Sequence, residues 1–226
     1  MTLDEFKKSF KKLKSQGWIK SIRRGPTGIG KTLEEYIGLI ENNVALPDLG
    51  KIELKAHRIN STSMITLFTF NRKAWKMRPL EAIRNYGTPD NTGRLGLYFT
   101  MSRTPNSSGL FLHVESNAIS VRHISGNIIA EWEMKALANR FIQKIPALIL
   151  VSAFSEIRGD IEWFKFDRAQ ILKDTSEDIL QNQLLAGNIL VDLRLHDKTT
   201  SARNHGTGFR AHVDKLPLLF KIVEDL

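Results

Sequence analysis

The sequence predicts one compact α/β chain with two lobes, and three observations carry that expectation. Residues 3–15 set Leu3, Phe6, Phe10 and Leu13 at spacings of three and four with lysines between them, the stripe of an amphipathic helix. KIELKAH and SMITLFTF alternate or concentrate β-branched and aromatic residues as strands do. PALILVSAF is an unbroken apolar run, the pattern of a strand buried on both faces.

The remaining elements fall between these. GPTGIGKT reads as a Gly/Thr-rich turn, with Thr32 capping a helix that begins at Leu33 and Glu35 completing a capping box. LEEYIGLIENN is that helix, and Pro47 and Gly50 bracket a turn before KIELKAH. RPLEAIRNYG is a helix stopped by Gly87. LGLYFTM, LFLHVE, AISVRH and NIIAEWE, separated by Gly, Asn and Ser, suggest an antiparallel meander over about residues 93–132. EMKALANRFIQK is helical. IEWFKFDRAQIL, a helix near 175–186, NILVDLRL and a last helix near 213–223 complete the chain, with loops at 88–94 and 197–208. Trp132 and Trp163 sit in apolar strand contexts and read as core. The lobes are expected at about 1–90 plus 145–175 for one sheet and at 188–226, in a single chain spanning 1–226.

Composition narrows the function. The net charge is +9 with a sequence pI of about 9.8, which calls for a polyanionic partner, nucleic acid before a membrane surface. The absence of cysteine excludes disulfides, thiolate catalysis and cysteine-ligated metals. No run approaches the ~20 apolar residues of a membrane span. The charged N-terminus MTLDEFKKSFKKLK is not a signal peptide, so a cytoplasmic location is expected.

Two motifs compete. GPTGIGKT at 25–32 is a formal match to the phosphate-binding loop of nucleotide hydrolases. Its context is poor, because a buried apolar strand should precede it and GWIKSIRR is basic. The second motif is Pro47-Asp48 followed by Glu53-Leu54-Lys55. In a strand, alternation puts Glu53 and Lys55 on one face and Ile52 and Leu54 on the other, while a turn at Gly50 brings Asp48 back toward Glu53. Two carboxylates at short range demand a cation, and oxygen ligands suit Mg²⁺. A lysine beside them can orient an attacking water or neutralise charge on a pentavalent transition state. The bland alternative is an exposed strand carrying a Glu–Lys pair of little consequence.

TGIGKTLEEYIGLIENNVALPDLGKIELKAH, ITLFTF, RNYG, LILVSAFSEI, VDLRL and NHGTGFRAHVDKL together resemble, in order along most of the chain, the MvaI/BcnI family of restriction endonucleases, which is related to the mismatch-repair nicking enzyme MutH. The resemblance implies a PD-(D/E)xK fold, a central mixed β-sheet flanked by helices in a MutH-like two-lobed arrangement. It implies that Asp48 and Glu53 bind Mg²⁺, with Mn²⁺ able to substitute, that Lys55 serves the attacking water, and that Glu34 is a helix carboxylate near the active site. The implied activity is that of a type II site-specific deoxyribonuclease on double-stranded DNA, cutting at a pseudopalindromic CCNGG site, CCWGG or CCSGG, as a monomer. A MutH-like nicking endonuclease is the alternative and a phosphate-loop hydrolase the outsider. A host methyltransferase would be the cognate partner.

DNA reading is expected from the closing motif. His205 and Arg210 are candidates for base contact, with Arg203, Asn204 and Arg194 beside them, since arginine bidentate to guanine is the commonest specific major-groove contact. The bland alternatives are a turn cap for His205, a phosphate contact for Arg203, and an ion pair with Asp214 for Arg210. Lys51, Arg58, Arg72 and Lys73 are candidate phosphate contacts, and His57 is expected to support the site rather than react.

Overall fold

Residues 1–39, 49–71 and 73–226 are described by the computed structural model of the chain. Along them run α1 (Leu3–Ser15), β1 (Trp18–Lys20), α2 (Gly28–Ile37), β2 (Glu53–Arg58), β3 (Met64–Thr69), α3 (Pro79–Tyr86), β4 (Thr88–Pro89), β5 (Leu95–Met101), β6 (Leu110–Val114), β7 (Ala118–His123) and β8 (Ile128–Glu133). There follow α4 (Met134–Lys144), β9 (Ala147–Arg158), β10 (Ile161–Lys173), α5 (Glu177–Leu185), β11 (Leu190–Asp197), β12 (Ala202–Asn204), β13 (Gly208–His212), a 3-10 helix Val213–Leu219 and β14 (Ile222–Asp225).

The chain divides into two compact units. The first comprises Met1–Ser63, Gln143–Thr175 and Phe220–Leu226, and the second Met64–Ile142 and Ser176–Leu219. In the first, the sheet order is β1-β10-β9-β2, with β14 also paired to β10. β9 and β10 are antiparallel, whereas β2 runs parallel to β9 with Glu53 opposite Leu148 and Lys55 opposite Leu150, so the sheet is mixed as expected. One face packs against the helices, and Phe6, Phe10 and Leu13 of α1 and Ile29, Leu33 and Ile37 of α2 join Leu54, Ile149, Val151, Phe164, Phe166 and Ile171 in a buried core. The sequence explains α1 fully. Thr2 accepts a hydrogen bond from the Glu5 amide while the Glu5 carboxylate accepts from the Thr2 amide, a reciprocal cap, and the apolar stripe does the rest.

α2 departs from expectation. It begins at Gly28, so the GIGKT segment is already helical and Thr32 is a fully buried helix residue, not a cap. The Thr32 hydroxyl instead accepts a hydrogen bond from the Ile22 amide at 3.2 Å and anchors the loop from β1. Gly28 is tied there because a Cβ on it would lie 2.4 Å from the Arg23 carbonyl oxygen. A phosphate loop must wrap its ligand with non-helical backbone before the helix starts. Here Gly28 and Gly30 are inside the helix with only Gly25 before it, and the preceding strand is antiparallel to its neighbour. The motif is a coincidence of letters.

In the second unit a sheet of order β3-β13-β11-β5-β4, with β12 on β11, accompanies a separate antiparallel sheet β6-β7-β8. The meander read from the sequence therefore loses its first strand, since β5 pairs with β11 instead. The loop at 88–94 is a turn held by Asp90, whose carboxylate accepts from Thr92 and Arg94. Trp132 is core, 2% exposed, its indole N–H donating to the Phe70 carbonyl. Trp163 is not core, because its strand has one buried and one open face and Trp163 shares the open one with Lys165. The expected last helix is the short 3-10 turn carrying Pro217, after which the chain returns as β14 along β10.

Candidate active site

Glu53 is the first residue of β2 and is 2% exposed, which an isolated carboxylate does not tolerate. Lys55, two residues on and on the same face, places its Nζ 2.5 Å from Oε1. Lys144, the last residue of α4, places its Nζ 2.7 Å from Oε2. That approach lies off the hydrogen-bonding direction, so Oε2 has charge compensation but no directed hydrogen bond among the described residues. The result is a buried carboxylate flanked by two ammonium groups, one at each oxygen.

The other expected residues are distributed as follows. Glu34 is half-buried on α2, which packs against β2. Lys51 is exposed in the turn before β2, where Gly50 takes φ +71°. His57 continues the Glu53–Lys55 face, and burial pushes its pKa below the ordinary histidine value. Asp48 and Arg72 lie outside the described residues. Arg58 alternates to the opposite face, and its guanidinium grips both Glu162 oxygens at 2.6 and 2.7 Å, donates to the Gly25 and Pro26 carbonyls, and lies over the Phe164 ring. Arg58→Ala is therefore expected to lower unfolding free energy by roughly 2 kcal/mol, as for a charged hydrogen-bonded pair, with little change in the salt dependence of DNA binding. An unchanged denaturation midpoint with a shallower salt dependence would return Arg58 to the phosphate contacts.

The second unit carries a polar sheet face. On β11 the residues Asp192, Arg194 and His196 alternate with buried Leu193 and Leu195, and Tyr98, Thr100 and Arg210 share their side through the pairings with β5 and β13. Asp192 is 8% exposed and accepts from Thr100 at 2.9 Å and from Arg210 at 3.0 Å. Arg210 also donates to the Met64 carbonyl, and so pairs with Asp192 and not with Asp214. Arg194 lies 3.8 Å from Asp192, and Gly208 leaves it room, since a Cβ there would come within 3.3 Å of its Nη2. His196 shares its Nδ1 with the Tyr98 hydroxyl at 2.9 Å and with Nε2 of exposed His205 at 3.3 Å. Asn204 holds the turn by accepting from the Gly206 amide, and Arg203 is exposed on β12.

Burial first, then the charges of Arg94 and His205, depress the His196 pKa. With both His57 and His196 below the ordinary histidine value of 6.5, the unfolded chain binds protons that the folded chain refuses. Stability is thus complete above pH ~6.5 and falls as pH drops below it. Thermal unfolding between pH 7.5 and 5 checks this (a range set about the ~6.5 reference), and His196→Gln should flatten the acid limb.

Sequence reasoning missed Lys144, Asp192 and Tyr98. Lys144 carried no signal, being one basic residue at a helix end. Asp192 and Tyr98 could have been found by alternation, since each shares its strand face with Arg194 or its partner.

Residues 7–220 match the MvaI/BcnI restriction endonuclease family. The chain belongs to that family. The structure of restriction endonuclease MvaI in complex with its cognate DNA substrate aligns with a TM-score of 0.82 at 26% identity, covering 100% of this chain and 99% of that one. MvaI in the absence of DNA aligns with a TM-score of 0.57 at 26% identity, covering 100% and 98%. No curated protein matches. The fold is of the PD-(D/E)xK type, and the family makes the chain a restriction endonuclease. Among the described residues no helix is long and apolar enough to cross a membrane.

Proposed function

We propose that this family member is a Mg²⁺-dependent type II endonuclease that cuts double-stranded DNA at a pseudopalindromic site of the CCNGG type, CCWGG or CCSGG, as a monomer protected in its host by a cognate methyltransferase. The observation that carries the reading is the Glu53 carboxylate, buried between Lys55 and Lys144 with Oε2 lacking a directed partner. A buried oxygen in that condition suits a hard cation. Glu53 and Asp48 are the residues that would hold Mg²⁺ or Mn²⁺, with Glu34 as a further carboxylate. Polarisation of the scissile phosphate and a lower pKa for a bound water are what the ion supplies.

The chain's own residues do the remainder. Lys55 orients the attacking water and offers its ammonium to charge developing on the phosphate. Lys144, on the other carboxylate oxygen, fixes the orientation of Glu53. On the polar sheet, Arg210, Arg194 and His205 are the proposed base contacts, and the Asp192 pairing presents the Arg210 guanidinium in one orientation. Arg203, Asn204, Lys51, Arg72 and Lys73 are the proposed backbone contacts, which position without specifying.

The test is a sequenced plasmid incubated with purified protein and Mg²⁺, without ATP. Discrete fragments whose ends map to one CCNGG site, absent with Glu53→Ala, are the expected result. Nicked circles alone would favour the MutH-like reading, and an intact plasmid under both Mg²⁺ and Mn²⁺ would overturn the proposal.

A further inference from the structure

The catalytic face of the first unit's sheet does not end at the active site. Cross-strand partners share a face, so the pairings trace it row by row. Glu53 lies beside Leu148, and Lys55 beside Leu150 and Gln170. His57, Ser152 and Arg168 form the next row. Beyond β2 the face continues on β9, β10 and β1 as Phe154–Lys165–Trp18 and then Glu156–Trp163–Lys20. Arg158 closes the series, its guanidinium 4.6 Å from the Trp163 ring centroid and 5.4 Å from that of Trp18. Cations and aromatic rings thus alternate across three strands.

This end of the face is open. Lys20, Lys165 and Arg158 are exposed, and Phe154 is 42% exposed although a strand phenylalanine ordinarily seeks cover. Glu156 is the acidic member and is ion-paired with Arg158. The two indole rings hold the Arg158 guanidinium in place by cation–π contact, so a cation here is ordered before any partner arrives. Lys20 also lines a cleft together with Arg23, Arg24, Asp160 and Glu162.

We propose that this open end of the catalytic sheet face is a second DNA-binding surface, seating the duplex outside the recognition site; the proposal rests on the endonuclease reading above. Charge selects a polyanion, and continuity with the face that bears Glu53 and Lys55 selects the same duplex. Length decides which part of it. Phe154 lies six residues beyond Leu148, the neighbour of Glu53, or about 20 Å along the strand, and Arg158 about 33 Å. A five-base-pair site spans only about 17 Å. Contacts at Lys20, Lys165 and Arg158 therefore fall on flanking phosphates and are independent of sequence.

The experiment measures equilibrium affinity without divalent metal for two duplexes carrying the same cognate site, of about 10 and about 30 base pairs at ~3.4 Å each, against salt concentration. Wild-type protein is expected to prefer the longer duplex and to show the steeper salt dependence on it. The Lys20→Ala, Lys165→Ala double variant should lose most of that preference, with affinity for the longer duplex falling roughly tenfold and the salt slope by about 2, near one per lost phosphate contact. Glu156→Gln should shift the longer duplex the other way. The lysines are exposed, and an unchanged thermal midpoint verifies the fold. A length preference that survives the double variant, an equal loss on both duplexes, or no preference in the wild type would each overturn the proposal while leaving the endonuclease reading intact. Failure of the wild type to bind or cut any DNA would overturn both.

Discussion

Glu53→Gln is expected to reduce cleavage of cognate DNA by roughly 10³-fold or more, the several kcal/mol that metal-assisted charge stabilisation represents, while binding stays as tight or tightens. The sign of the binding effect follows from charge. Glu53 is buried with two ammonium groups on it, and glutamine removes a negative charge that would face the incoming phosphate. The same substitution removes the ion pairs that Glu53 makes with both lysines, so the variant should also unfold at lower temperature. Single-turnover cleavage and a gel-shift titration without divalent metal separate the two effects. Cleavage within tenfold of wild type (one ~1.4 kcal/mol step) would remove Glu53 from the proposed machinery.

Lys55→Met is expected to lower the cleavage rate by about 10²–10³-fold at saturating Mg²⁺, the usual consequence of deleting one preorganised donor at the reacting centre. Lys144→Met should behave differently. Its ammonium sits on the carboxylate oxygen away from Lys55, so its loss should move the Mg²⁺ concentration needed for half-maximal rate more than the maximal rate itself. Lys144→Arg, which retains the charge, should recover much of that shift. Two lysines contacting one carboxylate would be shown equivalent, and this division of labour wrong, if both methionine variants lowered the saturated rate alike.

Much of this arrangement is legible in the sequence, and the boundary has physical causes. α1 is legible because a local cap and a local stripe agree. The shared face of Glu53 and Lys55 is legible because strand alternation is geometric. The start of α2 is not, because what seats Gly28 and Thr32 is the backbone near Ile22 and Arg23, a packing partner that no helix-propensity rule contains. Arg58 reads as one more surface cation until Glu162 is found on the neighbouring hairpin. Trp163 reads as core because its strand is rich in apolar residues, but only the face of Phe164 and Phe166 is buried. Lys144 reaches Glu53 only through the return of the chain from α4 into β9, a tertiary fact.

β2 has a second consequence beyond catalysis. It is a terminal strand of its sheet among the described residues, with β9 as its neighbour on one side. A terminal strand presents unpaired amides and carbonyls that another chain can extend, and positively charged side chains along it oppose such association. Lys55 and Arg58 are the two cations among the six residues Glu53–Arg58. The ammonium proposed to serve the phosphate is thus also expected to oppose self-association, and forms built by neutralising Lys55 should precipitate more readily on refolding than those built at Glu53.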